Sequence, residues 1–443
     1  MLLSSLGTSI ANVALPTFAR ELGVSFQAVQ WVVLAYLLSV TTLVVSVGRL
    51  GDLFGRRRLM LGGIALFTLA SIACAASSEL WMLVAARAVQ GCGAAVMMAL
   101  SMSLVAAAAP EGRAGRAMGV LGTVSAAGTA LGPSLGGVLI QFLGWPSIFL
   151  INVPLGMAAY ALAHRHLPHD VVGIKRPSFD LIGSALLAMT LVTYAATMTV
   201  GRGISARVAI FMLLVAACGA SLFVIVESRV RSPLVQPQVF RNRVLSSGFA
   251  MSALVSTVAM TTLVVGPFHL SNALGLTPAT VGLVMTAGPL AAVLVGVPAG
   301  RGVDRFGART MTCVGLIAMT TGCLVLALIP LSAGVAGYVL PLVITTAGFA
   351  TFQAANNTAV MACTEPGQRG VVSGLLNLAR NLGLITGASA MGAIFAFAAG
   401  TTHLASAQAS SVVTGTHAAF GVAALLTGIA LLLAVTASRH RHW

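Results

Sequence analysis

Acidic residues are scarce in this chain: nine Asp and Glu stand against 24 Lys and Arg in 443 residues. Charged residues of both signs make up 7%, where a soluble domain carries about 25%. So little charge cannot solvate a chain that is 58% hydrophobic. This excludes a water-soluble globule and leaves lipid as the solvent. The six cysteines (Cys74, Cys92, Cys218, Cys313, Cys323 and Cys363) are scattered without metal-ligand spacing, so they imply neither a metal site nor a disulfide. No G-x-x-x-x-G-K-[ST] loop occurs, and no connection is long enough for a nucleotide-hydrolysing domain. His164, His166, His169 and Asp170 cluster after the sixth apolar run, but their spacing suits a basic tether better than a metal site. Nothing else gathers the acid–base groups that an enzyme needs at one membrane face. The net charge of +15 does not signal a nucleic-acid partner, because the basic residues sit in short clusters between apolar runs. That is how a membrane protein marks its cytoplasmic side.

What the chain has in abundance is long apolar runs. They lie near 1–18, 29–48, 59–77, 81–108, 117–142, 147–164, 181–200, 206–226, 244–270, 279–299, 310–330, 336–362, 370–398 and 417–437. Backbone polar groups cannot go unpaired in lipid, so each run must be a helix. The expected fold is an all-α membrane protein of about fourteen transmembrane helices. The first run follows no basic segment and another apolar run comes next, so it is expected to be a spanning helix and not a cleaved signal peptide. With both termini in the cytoplasm, 19 of the 24 Lys and Arg fall on the cytoplasmic side, three fall outside, and Arg87 and Arg380 lie within spans. A missed span would scramble that partition.

The chain also repeats itself. Gly48-Arg49-Leu-Gly-Asp52-Leu-Phe-Gly55-Arg56-Arg57 recurs as Gly300-Arg301-Gly-Val-Asp304-Arg305-Phe-Gly307-Ala-Arg309, an offset of 252. A weaker echo carries Gly119, Gly132 and Gly137 to Gly374, Gly387 and Gly392, an offset of 255. We therefore expect two six-helix bundles in parallel orientation, over 1–166 and 243–443, with two helices and their linkers inserted over 167–242. Such repeats characterise alternating-access transporters, whose substrates bind between the halves near mid-membrane.

The repeated loop resembles the cytoplasmic loop motif of the major facilitator superfamily. Arg87-Ala-Val-Gln90-Gly91 resembles its fourth-helix motif, and Gly128-Thr-Ala-Leu-Gly132-Pro133-Ser-Leu-Gly136-Gly137 its antiporter motif. Asn12-Val-Ala-Leu-Pro16 resembles a first-helix motif of the fourteen-helix drug:proton antiporters. The resemblance covers essentially the whole chain. It implies secondary export of small molecules from a bacterial inner membrane, no cofactor, and the proton gradient as energy source. It also implies a small-molecule substrate and a monomer, with the bilayer as the surrounding partner. The Asp52 and Asp304 loops would latch helix ends together in one state and release them in another. The glycines of the fifth span would let helices approach closely, with Pro133 bending the chain, and the resemblance implies that this segment seals against proton leak.

An arginine inside a span costs about 2.5–3.5 kcal/mol on insertion scales, so Arg87 and Arg380 should face a cavity or a partner. Gln353, Asn356, Asn357 and Asn377 join Arg380 as a candidate polar lining. One departure from the family pattern stands out: the first-helix motif usually carries an Asp five residues before the Asn, and that position here is Gly7. No carboxylate lies deep in a span. A cationic substrate would want one, so neutral or anionic amphipathic substrates are expected, with Arg87 or Arg380 as the anion contact. The remaining candidates for a titrating group are Asp180, Glu227 and His269.

Overall fold

The computed structural model describes residues 1–108, 114–167, 181–199, 206–229, 242–363, 369–400 and 408–437. Asp180, His169 and Asp170 lie outside that set, and so do the side chains of Arg49, Asp52 and Glu227. The described residues form helices and contain no strand. Two compact units divide them. The first, which takes in α2 from Ala28 onward and α8 as far as Thr197, holds α1 (Leu2–Glu21), α2 (Phe26–Phe54), α3 (Arg56–Ala75), α4 (Leu80–Ala108), α5 (Ala114–Leu143), α6 (Ser147–Leu150), α7 (Asn152–His166), α8 (Leu181–Thr199) and α9 (Ala206–Arg229). The second holds α10 (Arg243–Phe268), α11 (Pro278–Phe306), α12 (Ala308–Leu328), α13 (Gly334–Ala362), α14 (Arg369–Thr386), α15 (Gly392–Ala399) and α16 (Ala409–Ala437). A π-turn at His269–Ala273 extends α10, and another at Gly387–Met391 joins α14 to α15. With α6–α7 and α14–α15 each counted as one rod, the described helices make fourteen rods. Eleven stretches among the described residues are long and apolar enough to cross a membrane.

The surface confirms the solvent. Phe142, Leu294, Leu328 and Leu432 point outward, while Ser9, Asn12, Arg87, Gln90 and Asn356 are buried. Apolar groups outside and polar groups inside is the arrangement lipid demands, because helices associate there through packing and internal hydrogen bonds.

The repeat seen in the sequence is a repeat of packing. Gly55 and Gly307 each sit between two helices with positive φ, at 91° and 82°, and extended ψ, at 133° and 152°. Glycine alone enters this region without cost, so the two loops turn identically. A valine at Gly307 should cost about 1–3 kcal/mol. This predicts a lower thermal midpoint, measured on purified protein, for Gly307→Val and for Gly307→Asn alike, because the asparagine tolerance of positive φ belongs to the αL region and not to this extended ψ.

Glycine also sets the helix seams. A Cβ at Gly93 of α4 would stand 2.7 Å from the Gly63 carbonyl oxygen of α3, and one at Gly348 of α13 would collide with the Gly315 carbonyl of α12 at 2.6 Å. On α5, a Cβ at Gly128 would meet the Leu2 carbonyl (2.7 Å) and Ser5 Cβ (3.1 Å) of α1. On α14, a Cβ at Gly383 would meet the Ala253 carbonyl and Ser256 Cβ (2.8 Å) of α10. Leu2 to Ala253 and Ser5 to Ser256 are both offsets of 251, so the same register recurs in each unit.

Candidate transport site

The antiporter-type segment is the face on which α5 meets α1. A Cβ at Gly132 would run into the Ser9 hydroxyl and lie 2.9 Å from the Ile10 amide nitrogen; at Gly136 it would lie 2.8 Å from Ile10 Cγ1. Gly137 and Pro133 are also buried. The seam is closed by polar contacts: Ser5 and Ser125 hydroxyls share a 2.6 Å hydrogen bond. In α1, Asn12 is buried and its Nδ2 donates to the Thr8 carbonyl at 3.0 Å. Pro16, four residues on, removes the donor that would pair with the Asn12 carbonyl.

Arg87 is fully buried in the first unit. Its Nε donates to the Val32 carbonyl of α2 (2.9 Å), and Nη1 donates to the Gly7 carbonyl of α1 (3.1 Å) and to Gln90 Oε1 (2.6 Å). Gln90 Nε2 in turn donates to Ser71 Oγ of α3 (2.7 Å), which donates to the Phe67 carbonyl (2.7 Å). One guanidinium thus ties four helices. Tyr36 lies beneath it at 4.2 Å and Phe149 at 5.9 Å. Gly91, one turn further along α4, permits approach to α2: a Cβ there would be 2.6 Å from the Tyr36 carbonyl. The fourth-helix motif therefore works as a unit, with glycine bringing α4 against α2 and arginine bonding across the contact.

The absent first-helix Asp now has a structural counterpart. Arg87 bonds the backbone of Gly7, the position where the family pattern puts the carboxylate. A Cβ there would stand 3.1 Å from the Phe67 ring and 3.5 Å from the Tyr36 hydroxyl. Aromatic rings occupy the room a carboxylate would need, and carbonyls and a π face replace its charge. A desolvated cation–π contact contributes about 2 kcal/mol. Arg87 does not reach toward the membrane interface. It is enclosed, so it does not stand open to a substrate anion.

The second unit presents a different cation. Arg380 on α14 is half-buried, and Gln353 of α13 braces it. With the amide oriented so that its oxygen faces the guanidinium, Gln353 accepts from Arg380 Nε (2.9 Å) and Nη2 (2.8 Å). No charged neighbour acts on Arg380 among the described residues. Asn377, one turn earlier on α14, is half-buried beside it in sequence. The other two amides part company. Asn356 is buried and its Nδ2 donates to the Gly248 carbonyl of α10 at 3.2 Å, while Asn357 is exposed.

The repeated loops have distinct surroundings. Arg57 Nη2 donates to the His164 carbonyl at the end of α7, at 2.7 Å, a basic residue satisfying a helix C-terminus. Gly48, Arg49 and Asp52 lie in the last turns of α2, and Arg56 is exposed at the start of α3. In the second loop Gly300 is half-buried, and Arg301, Asp304, Arg305 and Arg309 are exposed. Arg305 lies 5.3 Å from the Phe306 ring. Sequence reasoning gave no sign of Tyr36, Ser71 or Phe149 around Arg87, because a serine or an aromatic in an apolar run carries no signal of its own.

Fourteen helical rods, a polar interior, an apolar exterior and a twice-used packing scheme define a polytopic membrane transporter. The chain belongs to the Major Facilitator Superfamily, whose family model matches residues 1–388 and 245–443. It is similar to the riboflavin transporter RibZ of Clostridioides difficile, with 31% identity over 98% of this chain and 94% of that protein. It is also similar to the multidrug resistance protein Stp of Mycobacterium tuberculosis, with 32% identity over 87% of this chain and 72% of that protein. Among solved structures, a bacterial homologue of the human lysosomal transporter Spinster aligns with a TM-score of 0.73 at 14% identity, over 99% of this chain and 94% of that one. That likeness shows the fold.

Proposed function

We propose that this protein exports small neutral or anionic amphipathic molecules from a bacterial cytoplasm in exchange for protons. It does so as a monomer of the fourteen-helix drug:proton antiporter branch, by alternating access, with both termini in the cytoplasm. Its relative Stp is a multidrug resistance protein. The observation that carries the substrate class is the Gln353–Arg380 pair. A neutral amide takes two of the guanidinium donors and fixes its plane, but leaves its charge uncancelled. A carboxylate in the same place would have neutralised it. An oriented, half-open cation is suited to an anionic or electron-rich ligand.

Proteoliposome assays with fluorescein (an anion), riboflavin (uncharged) and ethidium (a permanent cation) test this. Fluorescein and riboflavin should show saturable transport and ethidium none. Arg380→Ala should weaken fluorescein affinity by about tenfold to a hundredfold, the value of one charged hydrogen bond. Gln353→Glu should weaken it as well, with Arg380 still present. Saturable ethidium export that survives Arg380→Ala would refute the substrate class.

A second reading is favoured by the similarity to a riboflavin transporter over 98% of the chain: a permease for a planar metabolite. Direction separates the two. Riboflavin uptake into right-side-out vesicles without exchange of protons would support the permease.

A further inference from the structure

The second unit encloses an imidazole that the site above does not use. His269 opens the π-turn that extends α10 and is 4% exposed. Its Nδ1 lies 3.1 Å from Thr416 Oγ1 of α16. The threonine hydroxyl has one proton, and it donates that proton to the Val412 carbonyl at 2.8 Å. Toward the imidazole it can only accept. His269 Nδ1 therefore carries the hydrogen, and Nε2 is the nitrogen at which the neutral ring can take up a proton.

The ring's surroundings combine polar and apolar groups. The Tyr338 ring of α13 stacks on the imidazole at 5.4 Å, and its buried hydroxyl has no partner among the described residues. Glycine at 266 makes the room: a Cβ there would run into that hydroxyl and lie 3.0 Å from Met285 Sδ of α11. The titratable groups facing the ring are His417 from α16 and Tyr338 from α13; α11 brings Met285 and no charged group. His417 Nε2 is already engaged with the Ile329 carbonyl at 2.8 Å. Phenols do not exchange protons at neutral pH. Imidazole is the side chain whose ordinary pKa, near 6.5, comes closest to neutral pH, and π-turns inside helices recur at functional positions.

We propose that His269 is the group that takes up and releases the exchanged proton, with Nε2 as the accepting atom and Thr416 holding the ring in the tautomer that leaves it free. The inference rests on the proton-exchange reading above. The neutral ring accepts a proton from water on one side, becomes an imidazolium, and returns the same proton to water on the other side. Nothing else is consumed.

Full-length protein in proteoliposomes tests this with riboflavin as the probe. Riboflavin movement is followed under an imposed proton gradient, and separately as riboflavin–riboflavin exchange at equal pH. His269→Gln should lose gradient-driven movement and keep exchange. Thr416→Val should keep gradient-driven movement but shift its pH profile, and His417→Gln should keep both activities. If wild-type protein exchanges riboflavin but ignores the gradient, the proton-exchange reading falls and the inference with it. If wild-type protein follows the gradient and His269→Gln follows it equally, the inference alone is overturned. Should His269→Gln lose exchange as well, Thr416→Val decides: an unchanged pH profile removes His269 from the role.

Discussion

Arg87→Ala should abolish transport and lower the thermal midpoint of the purified protein, and Arg87→Lys should restore neither fully. The alanine leaves three buried acceptors, the carbonyls of Gly7 and Val32 and the amide oxygen of Gln90, without the donors they have now. Each stranded buried acceptor costs about 1–3 kcal/mol, so the loss is a large fraction of a domain's stability. The cavity left by a side chain this large adds to it. A lysine keeps the charge but cannot reach three acceptors on three helices from a planar fork. It also forgoes guanidinium stacking on Tyr36. Thermal unfolding followed alongside a transport assay checks both claims. An Arg87→Ala protein with wild-type midpoint and rate would show that the four-helix tie has no structural or transport role.

Gly132→Val and Gly387→Val should each prevent active protein from accumulating, and to a similar degree. The first forces branched carbons into Ser9 and the Ile10 backbone, and the second into the Thr257 carbonyl and Met260 Cβ, which a Cβ would already approach to 2.5 and 2.6 Å. The Ser9 hydroxyl can rotate away, but the remaining obstacles are backbone and Cβ atoms, which no rotamer change can move, so α1 must lift from α5 and α10 from the π-turn at Gly387. Overpacking of one methylene costs about 1–3 kcal/mol, and a valine at a backbone-to-backbone contact exceeds that. Gly296→Ala serves as control, since a Cβ there meets nothing within 4 Å. Detergent-solubilised yield and size-exclusion profile report the outcome. A well-behaved Gly132→Val protein would mean that the α1–α5 seam is looser than its geometry.

Much of the architecture is legible in the sequence because the bilayer restricts the choices so strongly. Lipid forces each long apolar run to be a helix. The repeated Gly-x-x-x-x-x-x-Gly loop forecasts two matching turns, and Gly55 and Gly307 adopt the same positive-φ conformation. The site is legible in part. Arg87 and Arg380 announce themselves by the cost of a charge in lipid, yet the sequence gives both the same weight. Gln353 and Asn356 look alike as amides in one span, and only one of them meets Arg380. His269 reads as a residue near a helix end, where the structure buries it against Thr416 and Tyr338.

The sequence by itself determined the solvent, the helical class, the internal repeat and the shortage of carboxylates, because these follow from composition and period along one chain. Tertiary structure alone decided which cation is enclosed and which stands half open. It also decided which amide braces Arg380, and which nitrogen of His269 faces Thr416. Those outcomes depend on atoms 27 to 147 residues apart in the chain, on different helices, meeting within 3.1 Å. The glycine seams that bring them so close are visible in the sequence only as small residues, without their partners.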